Sequence, residues 1–215
     1  MTTEHPRQFD DTFRAELALL FAWRRDVRRF DHRPVDPGLV SRLLDLAQLS
    51  PSVGNSQPWR WINVESPSAR AQVQRSFRTC NAQALAGYQG DRARLYATLK
   101  LDGLDCAPVQ FAVCSDHDTE QGHRLGQLTM PETVDYSVVS AIALFWLAAR
   151  AEGLGVGWVS ILDPKDISNC LDLPPSFRFI AYLCLGWPAE DHLDPELERH
   201  GWQSRTSSGR LVLQR

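Results

Sequence analysis

Residues 130–164, MPETVDYSVVSAIALFWLAARAEGLGVGWVSILDP, contain the longest apolar segment of the chain. Residues 132–152 are apolar on most sides, which predicts a helix at the centre of the fold or in a subunit interface. Its apolar stretch at 141–149 is only about half of a membrane span, so we predict a buried helix. The segment GVGWVSIL at 155–162 follows as a turn into a short strand.

The flanking sequence supplies the other elements of one α+β domain. Apolar runs predict strands at 59–64 (WRWINV), 109–115 (VQFAVCS) and 177–188 (FRFIAYLCLGWP). Periodicity predicts helices at 11–25, 36–49, 67–100 and 166–170, with glycines interrupting the third. Asp36 is the natural N-cap of the second helix and Pro37 its first residue.

The composition restricts the partners and the compartment. The 215 residues carry a formal net charge of −3, which argues against nucleic acid or an anionic membrane as the main partner. The cysteines are odd in number and form no CxxC pair, and the N-terminus lacks the apolar segment of a signal peptide. The histidines show no ligand spacing. We therefore expect a cytoplasmic protein without a metal site.

An arginine cluster, RRDVRRF at 24–30, surrounds Asp26. Guanidinium groups bind phosphate bidentately, and on a helix Arg24 and Arg28 would converge on one anion. A solvated surface stripe is the alternative. A carboxylate held among arginines should have a lowered pKa, which would make Asp26 an available anion or a weak base.

Three further segments are candidates for a ligand site. In SPSVGNSQPW at 50–59, the side chains of Asn55 and Gln57 suit the edge of a heterocycle, although an ordinary connecting loop fits equally well. GLGVGW at 153–158 follows a helix, so it is not a dinucleotide fingerprint. Ser160, just beyond it, has no obvious His or Asp partner nearby in sequence. The polar residues 117–130 are the best candidate for a mobile loop or lid.

Together these segments resemble the nitroreductase superfamily. RRDVRRF resembles its flavin-phosphate segment, usually R-x-S-x-R, and SPSVGNSQPW and GVGW resemble its second and third flavin contacts. Asp26 in place of Ser, together with residues 130–164, is similar to the 5,6-dimethylbenzimidazole synthase family, and the likeness covers roughly residues 17–205.

The resemblance implies an α+β nitroreductase-like fold with a central mixed or antiparallel sheet flanked by helices. It also implies a homodimer with a long central interface helix. The whole chain, 1–215, would be one domain with a core at 11–188 and an extension at 189–215 that contacts the partner subunit.

The resemblance also assigns site residues. Arg24, Arg25 and Arg28 would bind the FMN phosphate with Arg205 of the tail. Ser52 and Asn55 would hold the ribityl chain or the ring edge. Asp26 and Ser160 match two polar positions that distinguish this family, so they are the candidates for catalysis. The full set expected to contact flavin is Arg24, Arg25, Asp26, Val27, Arg28, Ser52, Asn55, Ser160 and Arg205.

The implied reaction is the oxygen-dependent fragmentation of reduced FMN to 5,6-dimethylbenzimidazole, the lower ligand of vitamin B12, and erythrose 4-phosphate. FMN would be consumed as a substrate, O2 would be the co-substrate, and a separate flavin reductase would supply reduced FMN. Asp26 would shuttle a proton during oxidation of ribityl C1′, and Ser160 would orient the ring or the reacting oxygen. Tyr136 and residues 117–130 would close the pocket.

Two alternatives share the same flavin contacts. An NAD(P)H-dependent FMN nitroreductase or flavin reductase would keep FMN as a cofactor, and Asp26 in place of Ser argues against it. A noncatalytic flavin-binding or flavin-storage protein ranks last, because binding FMN without chemistry requires no carboxylate among the phosphate-binding arginines.

Overall fold

The four strands form a single antiparallel sheet. The computed structural model describes residues 8–99, 103–206 and 212–215. The strands are β1 (Trp59–Asn63), β2 (Val109–Asp116), β3 (Gly155–Val159) and β4 (Phe177–Gly186), in the order β1–β2–β4–β3. Every neighbouring pair is antiparallel. The expected α+β fold is confirmed, with an antiparallel rather than a mixed sheet.

The helices follow the predicted pattern with shifted ends. They are α1 (Asp11–Trp23), α2 (Pro37–Ala47), α3 (Pro67–Ala86), α4 (Gly90–Thr98), α5 (Gly103–Cys106), α6 (Thr133–Ala151), α7 (Pro164–Cys170) and α8 (Glu196–Arg199). The N-cap of α2 is as predicted, since the Asp36 carboxylate accepts a hydrogen bond of 2.9 Å from Leu39 N. The predicted helical segment 67–100, with its glycine interruptions, forms α3 and α4, and its residue 100 lies outside the described residues. The four-residue helices α5 and α8 were not predicted.

Helix α6 is the central helix of the core. Its Val138, Ala141, Ile142 and Phe145 are fully buried, and they pack with α2 and with the inner face of the sheet. Burial of each large apolar side chain contributes about 1.5–3 kcal/mol. By length and composition alone α6 is long enough to cross a bilayer; here Val138, Ala141, Ile142 and Phe145 pack in the core, while Tyr136 and Val139 are exposed.

The arginine cluster lies outside the first helix. Helix α1 ends at Trp23, and Arg24 is extended, with φ −69° and ψ 113°. The following residues run parallel to the free edge of β3, where Val27 N donates to Val156 O at 3.0 Å. The expected helical convergence of Arg24 and Arg28 is therefore wrong. In an extended chain, residues four apart share a side but lie about 13 Å apart, against about 6 Å on a helix.

Candidate active site

The first part of the site is the arginine corner. It comprises residues 24–29 and the adjoining residues 156–160, which are most of β3 and the residue that follows it. The glycines of the GVGW motif allow this approach, because a Cβ on Gly157 would lie 2.2 Å from Val27 O. Trp158 N donates a 2.8 Å hydrogen bond to Asp26 Oδ1. Ser160 is exposed and lies two residues, or about 7 Å of extended chain, beyond Trp158. The two predicted catalytic residues therefore share one strand edge.

Asp26 accepts the hydrogen bond from Trp158 N, forms an ion pair with Arg28 and is partly shielded from water. Its Oδ2 lies 3.5 Å from Arg28 Nε, and its side chain is 38% exposed. Burial raises the pKa of Asp26, and the nearby Glu196 carboxylate adds to this, while the Trp158 N–H and Arg28 oppose it. The expectation of a lowered pKa is wrong because the loss of hydration outweighs the arginine. A raised pKa makes the ionised carboxylate a stronger base, which suits a group that accepts a proton and returns it.

Two of the arginines are paired with glutamates from the C-terminal segment. Arg29 pairs with Glu190 and, at 3.2 Å, with Glu196. Arg28 Nε lies 3.9 Å from Glu196, and this buried atom makes no hydrogen bond to the described residues. Sequence reasoning missed both glutamates because they lie more than 150 residues along the chain, in a segment without a recognisable motif.

Positive charge that is not fully neutralised gathers at Arg24, Arg25 and Arg205. Burial lowers the pKa of Arg25, and the charges of Arg205 and Arg24 lower it further, against the opposing effect of Asp194. The Arg24 guanidinium lies 5.0 Å from the Trp146 ring centroid. The Arg25 guanidinium donates to the backbone carbonyls of Leu193 and Ala22, which do not neutralise its charge. The neighbouring positive charges and the unbonded Nε of Arg28 fit a phosphate group. Val27 contributes little polar chemistry, because its N–H is bonded to β3.

The second part of the site, the loop corner, comprises residues 52–57 before β1. Ser52 Oγ accepts a 3.0 Å hydrogen bond from Gln57 N, and Asn55 Oδ1 accepts one of 3.3 Å from the Gln57 side chain. Asn55 has φ +55° and Gln57 φ +44°, a conformation that asparagine adopts more readily than most residues. Ser137 Oγ, near the start of α6, accepts from Val53 N at 3.0 Å. Hydrogen bonds within the loop and to α6 therefore define its conformation.

Residues 117–130, the predicted lid, lie on the loop corner. Gln121 Nε2 donates to Asn55 O at 2.9 Å. Gly54 has φ +57°, and a Cβ there would lie 2.8 Å from Leu125 O, so the two segments are in close backbone contact. Leu128 and Tyr136 remain exposed beside them. Closure of a pocket by these residues stays a prediction.

The two corners lie far apart in the protomer. The arginine corner lies outside β3, and the loop corner leads into β1 at the other edge of the sheet. Four strand spacings amount to about 20 Å. The two corners are also offset along the strands. Through β4, Val156 lies level with Val109 of β2, whereas Trp59 lies level with Ser115 of β2, and the stretch of β2 between these two levels spans about 20 Å. The predicted flavin contacts are therefore not brought together in one chain.

The cavity at the arginine corner is also small. It has a volume of about 30 Å³ and is lined by residues of the 25–29 segment and of the C-terminal segment. Such a volume holds about one water molecule, so the walls of a mononucleotide site are incomplete here. None of the five cysteines forms a disulfide. Among the described residues, no group of three or more His, Cys, Asp or Glu side chains is placed to hold a metal ion.

Comparison with known proteins identifies close relatives. A 5,6-dimethylbenzimidazole synthase of Rhodospirillum rubrum is 57% identical over 197 residues, which cover 92% of this chain and 93% of the relative. A protein of the same name from Rhodobacter capsulatus is 47% identical over 91% of this chain and 94% of its own length.

Solved structures share the fold. Oxidised iodotyrosine deiodinase bound to FMN and 3-iodo-L-tyrosine superposes with a TM-score of 0.70 at 20% identity, over 92% of this chain and 97% of its own. A nitroreductase-like protein from Streptococcus mutans gives a TM-score of 0.71 at 16% identity, over 94% and 100%. The sequence pattern of the nitroreductase family matches residues 21–187. The chain belongs to the nitroreductase family.

Proposed function

We propose that this protein is a 5,6-dimethylbenzimidazole synthase, which fragments reduced FMN in the presence of O2 to 5,6-dimethylbenzimidazole and erythrose 4-phosphate. The observation that carries the proposal is 57% identity, over 92% of the chain, to a protein of that name. The position of Asp26 supports it, because a carboxylate with a raised pKa lies at the strand edge that also carries Ser160.

The phosphate of FMN would be held by Arg24, Arg25, Arg28 and Arg205. Reduced flavin, when bound, supplies the electrons that activate O2. The Asp26 carboxylate would take a proton at ribityl C1′ and return it, while Trp158 N–H keeps its Oδ1 in place. The Ser160 hydroxyl makes no hydrogen bond to the described residues, so it is free to donate to the flavin ring or to the oxygen.

We further propose that the flavin site is shared between two copies of the chain in a homodimer. The arginine corner of one protomer would face the loop corner of its partner, which supplies Ser52 and Asn55. Exposed apolar side chains support such an assembly: α1 buries none of its residues fully, and Phe13, Leu19 and Phe21 are 40–56% exposed. Cysteines that form no disulfide agree with a cytoplasmic location, where a separate reductase would supply reduced FMN.

The test is to incubate the protein with chemically reduced FMN in air and to identify the products by mass. The proposal predicts stoichiometric 5,6-dimethylbenzimidazole with loss of the flavin spectrum. Recovery of intact FMN would instead indicate a flavin-binding protein. Rapid bleaching of bound FMN by NADPH, with no benzimidazole formed, would indicate a nitroreductase or flavin reductase.

A further inference from the structure

A second cavity, of about 170 Å³, lies beside the arginine corner. Its walls include Arg28, Asn81, Tyr96, Ile161, Leu197 and Trp202. Two of these adjoin the proposed catalytic pair: Arg28 lies 3.5 Å from Asp26, and Ile161 follows Ser160 in the chain. The volume is several times that of a water molecule. The cavity therefore has room for a small organic molecule next to the reacting groups.

One wall of this cavity is a braced aromatic cluster. The Trp202 ring lies 5.4 Å from Tyr88 in an edge-on arrangement and 6.1 Å from Tyr96. Arg92 donates a 2.8 Å hydrogen bond to Trp202 O, and its guanidinium lies 4.9 Å from the indole. Flat, rigid side chains of this kind bind planar rings by stacking and by edge contacts.

Among the residues that the structure describes, the polar side chains that line the cavity are the Asn81–Tyr96 pair and the cation of Arg28. Tyr96 OH donates to Asn81 Oδ1 at 2.8 Å, which leaves the Asn81 amide N–H as a donor and the Tyr96 oxygen as an acceptor. Burial raises the pKa of Tyr96, with a smaller contribution from Tyr88, so its hydroxyl stays protonated. Arg28 disfavours a cationic ligand.

We propose that this cavity binds a neutral bicyclic heteroaromatic ring with one ring N–H and one ring-nitrogen acceptor, namely the 5,6-dimethylbenzimidazole released in the proposed reaction. The assignment rests on the proposed function. The ring N–H would donate to the Tyr96 oxygen, and the other ring nitrogen would accept from the Asn81 amide. The carbocycle would contact Leu197 and Trp202. The cavity would thus be a product site beside Asp26 and Ser160.

The experiment is calorimetric titration of the flavin-free full chain with 5,6-dimethylbenzimidazole. Leu197→Trp fills the cavity and should weaken binding at least about tenfold. Leu213→Trp makes the same change on an exposed part of the C-terminal segment and should leave the affinity unchanged. Asn81→Ala removes the amide donor and the acceptor of the Tyr96 hydroxyl, and it should weaken binding about three- to tenfold. The Asn81→Ala variant still tests the proposal if Leu197→Trp unfolds the protein.

The outcomes separate the product site from the synthase itself. No binding of 5,6-dimethylbenzimidazole, or equal binding by wild type, Leu197→Trp and Asn81→Ala, overturns the product site even if the product assay succeeds. Binding of erythrose 4-phosphate that is lost in Leu197→Trp, without binding of the benzimidazole, also overturns it. Normal benzimidazole binding without product formation from reduced FMN contradicts the synthase and leaves the cavity assignment standing.

Discussion

The arginine corner and the loop corner are built in opposite ways. The arginine corner joins residues 24–29, the end of β3 and a C-terminal segment more than 150 residues away, and its side chains are mostly charged. The loop corner is local: residues 52–57 bond mainly to one another and are covered by residues 117–130. Under the proposed function, the arginine corner would supply phosphate affinity and proton transfer, and the loop corner would supply a rigid surface.

Asp26→Asn should produce the largest effect. Asparagine keeps the hydrogen bond from Trp158 N but cannot carry the proton, so product formation should fall by about 10²–10⁴-fold. FMN affinity should change little, because the arginines remain. Asp31→Asn is the matched control, because the Asp31 carboxylate accepts a hydrogen bond from Arg33 N and has no other partner among the described residues. Normal yield of benzimidazole from Asp26→Asn would remove Asp26 from the mechanism.

Arg25→Ala should weaken FMN binding by about 10–100-fold, since a charged hydrogen bond contributes about 1.5–3 kcal/mol. Arg29→Ala removes the same group from the same segment, but this guanidinium is already paired with Glu190 and Glu196. Its effect on FMN affinity should therefore be much smaller. Fluorescence titration with FMN measures both. Equal losses of FMN affinity in the two variants would contradict the prediction that pairing with glutamates keeps Arg29 from binding the phosphate.

Gly54→Ala should show how firmly the loop corner is held. The substitution places a Cβ 2.8 Å from Leu125 O at φ +57°, so the backbone of residues 122–125 must move. Gly90→Ala has the same φ of +57° but open space around it. It should lower the free energy of unfolding by only about 1–2 kcal/mol. Chemical denaturation should show a clearly larger loss for Gly54→Ala; equal losses would mean that the contact with 122–125 is unimportant.

The smallest expected effect is on the pH dependence of the melting temperature, and it comes from Asp26 at the arginine corner. Burial raises the pKa of Asp26 in the folded state above its unfolded value of about 3.9. The ionised carboxylate therefore costs stability above the folded pKa, and this cost disappears as the pH falls below the unfolded value. Asp26→Asn should melt at a higher temperature than wild type near pH 7, and the gap should close in acid. Thermal melts of both proteins from acid to pH 7 measure this difference. A higher melting temperature for wild type at pH 7 would contradict the raised pKa of Asp26.

Local features were predictable from the sequence, and long-range ones were not. The N-cap at Asp36 and the strands of the sheet depend on neighbouring residues or on short apolar runs, and both were found. The extended course of Arg24–Arg29 depends on Gly155 and Gly157, which are remote in sequence and allow the chain to approach β3.

The electrostatics of the candidate site were only partly predictable for the same reason. The arginines and Asp26 were identified, but the raised pKa of Asp26 reflects burial and Glu196, which only the folded chain brings near. The distance between the two corners likewise follows from strand order. Helices α5 and α8 have four residues each, too few for a periodic pattern.

A purified mixed dimer tests the shared site most directly. One chain carries Asp26→Asn at the arginine corner, and the other carries Asn55→Trp, which blocks the loop corner. If each flavin site combines the two corners from different chains, one of the two sites in this dimer is intact, and benzimidazole production should be about half that of wild type. Production no higher than half that of the Asn55→Trp homodimer would contradict the account, because every site would then carry one damaged corner.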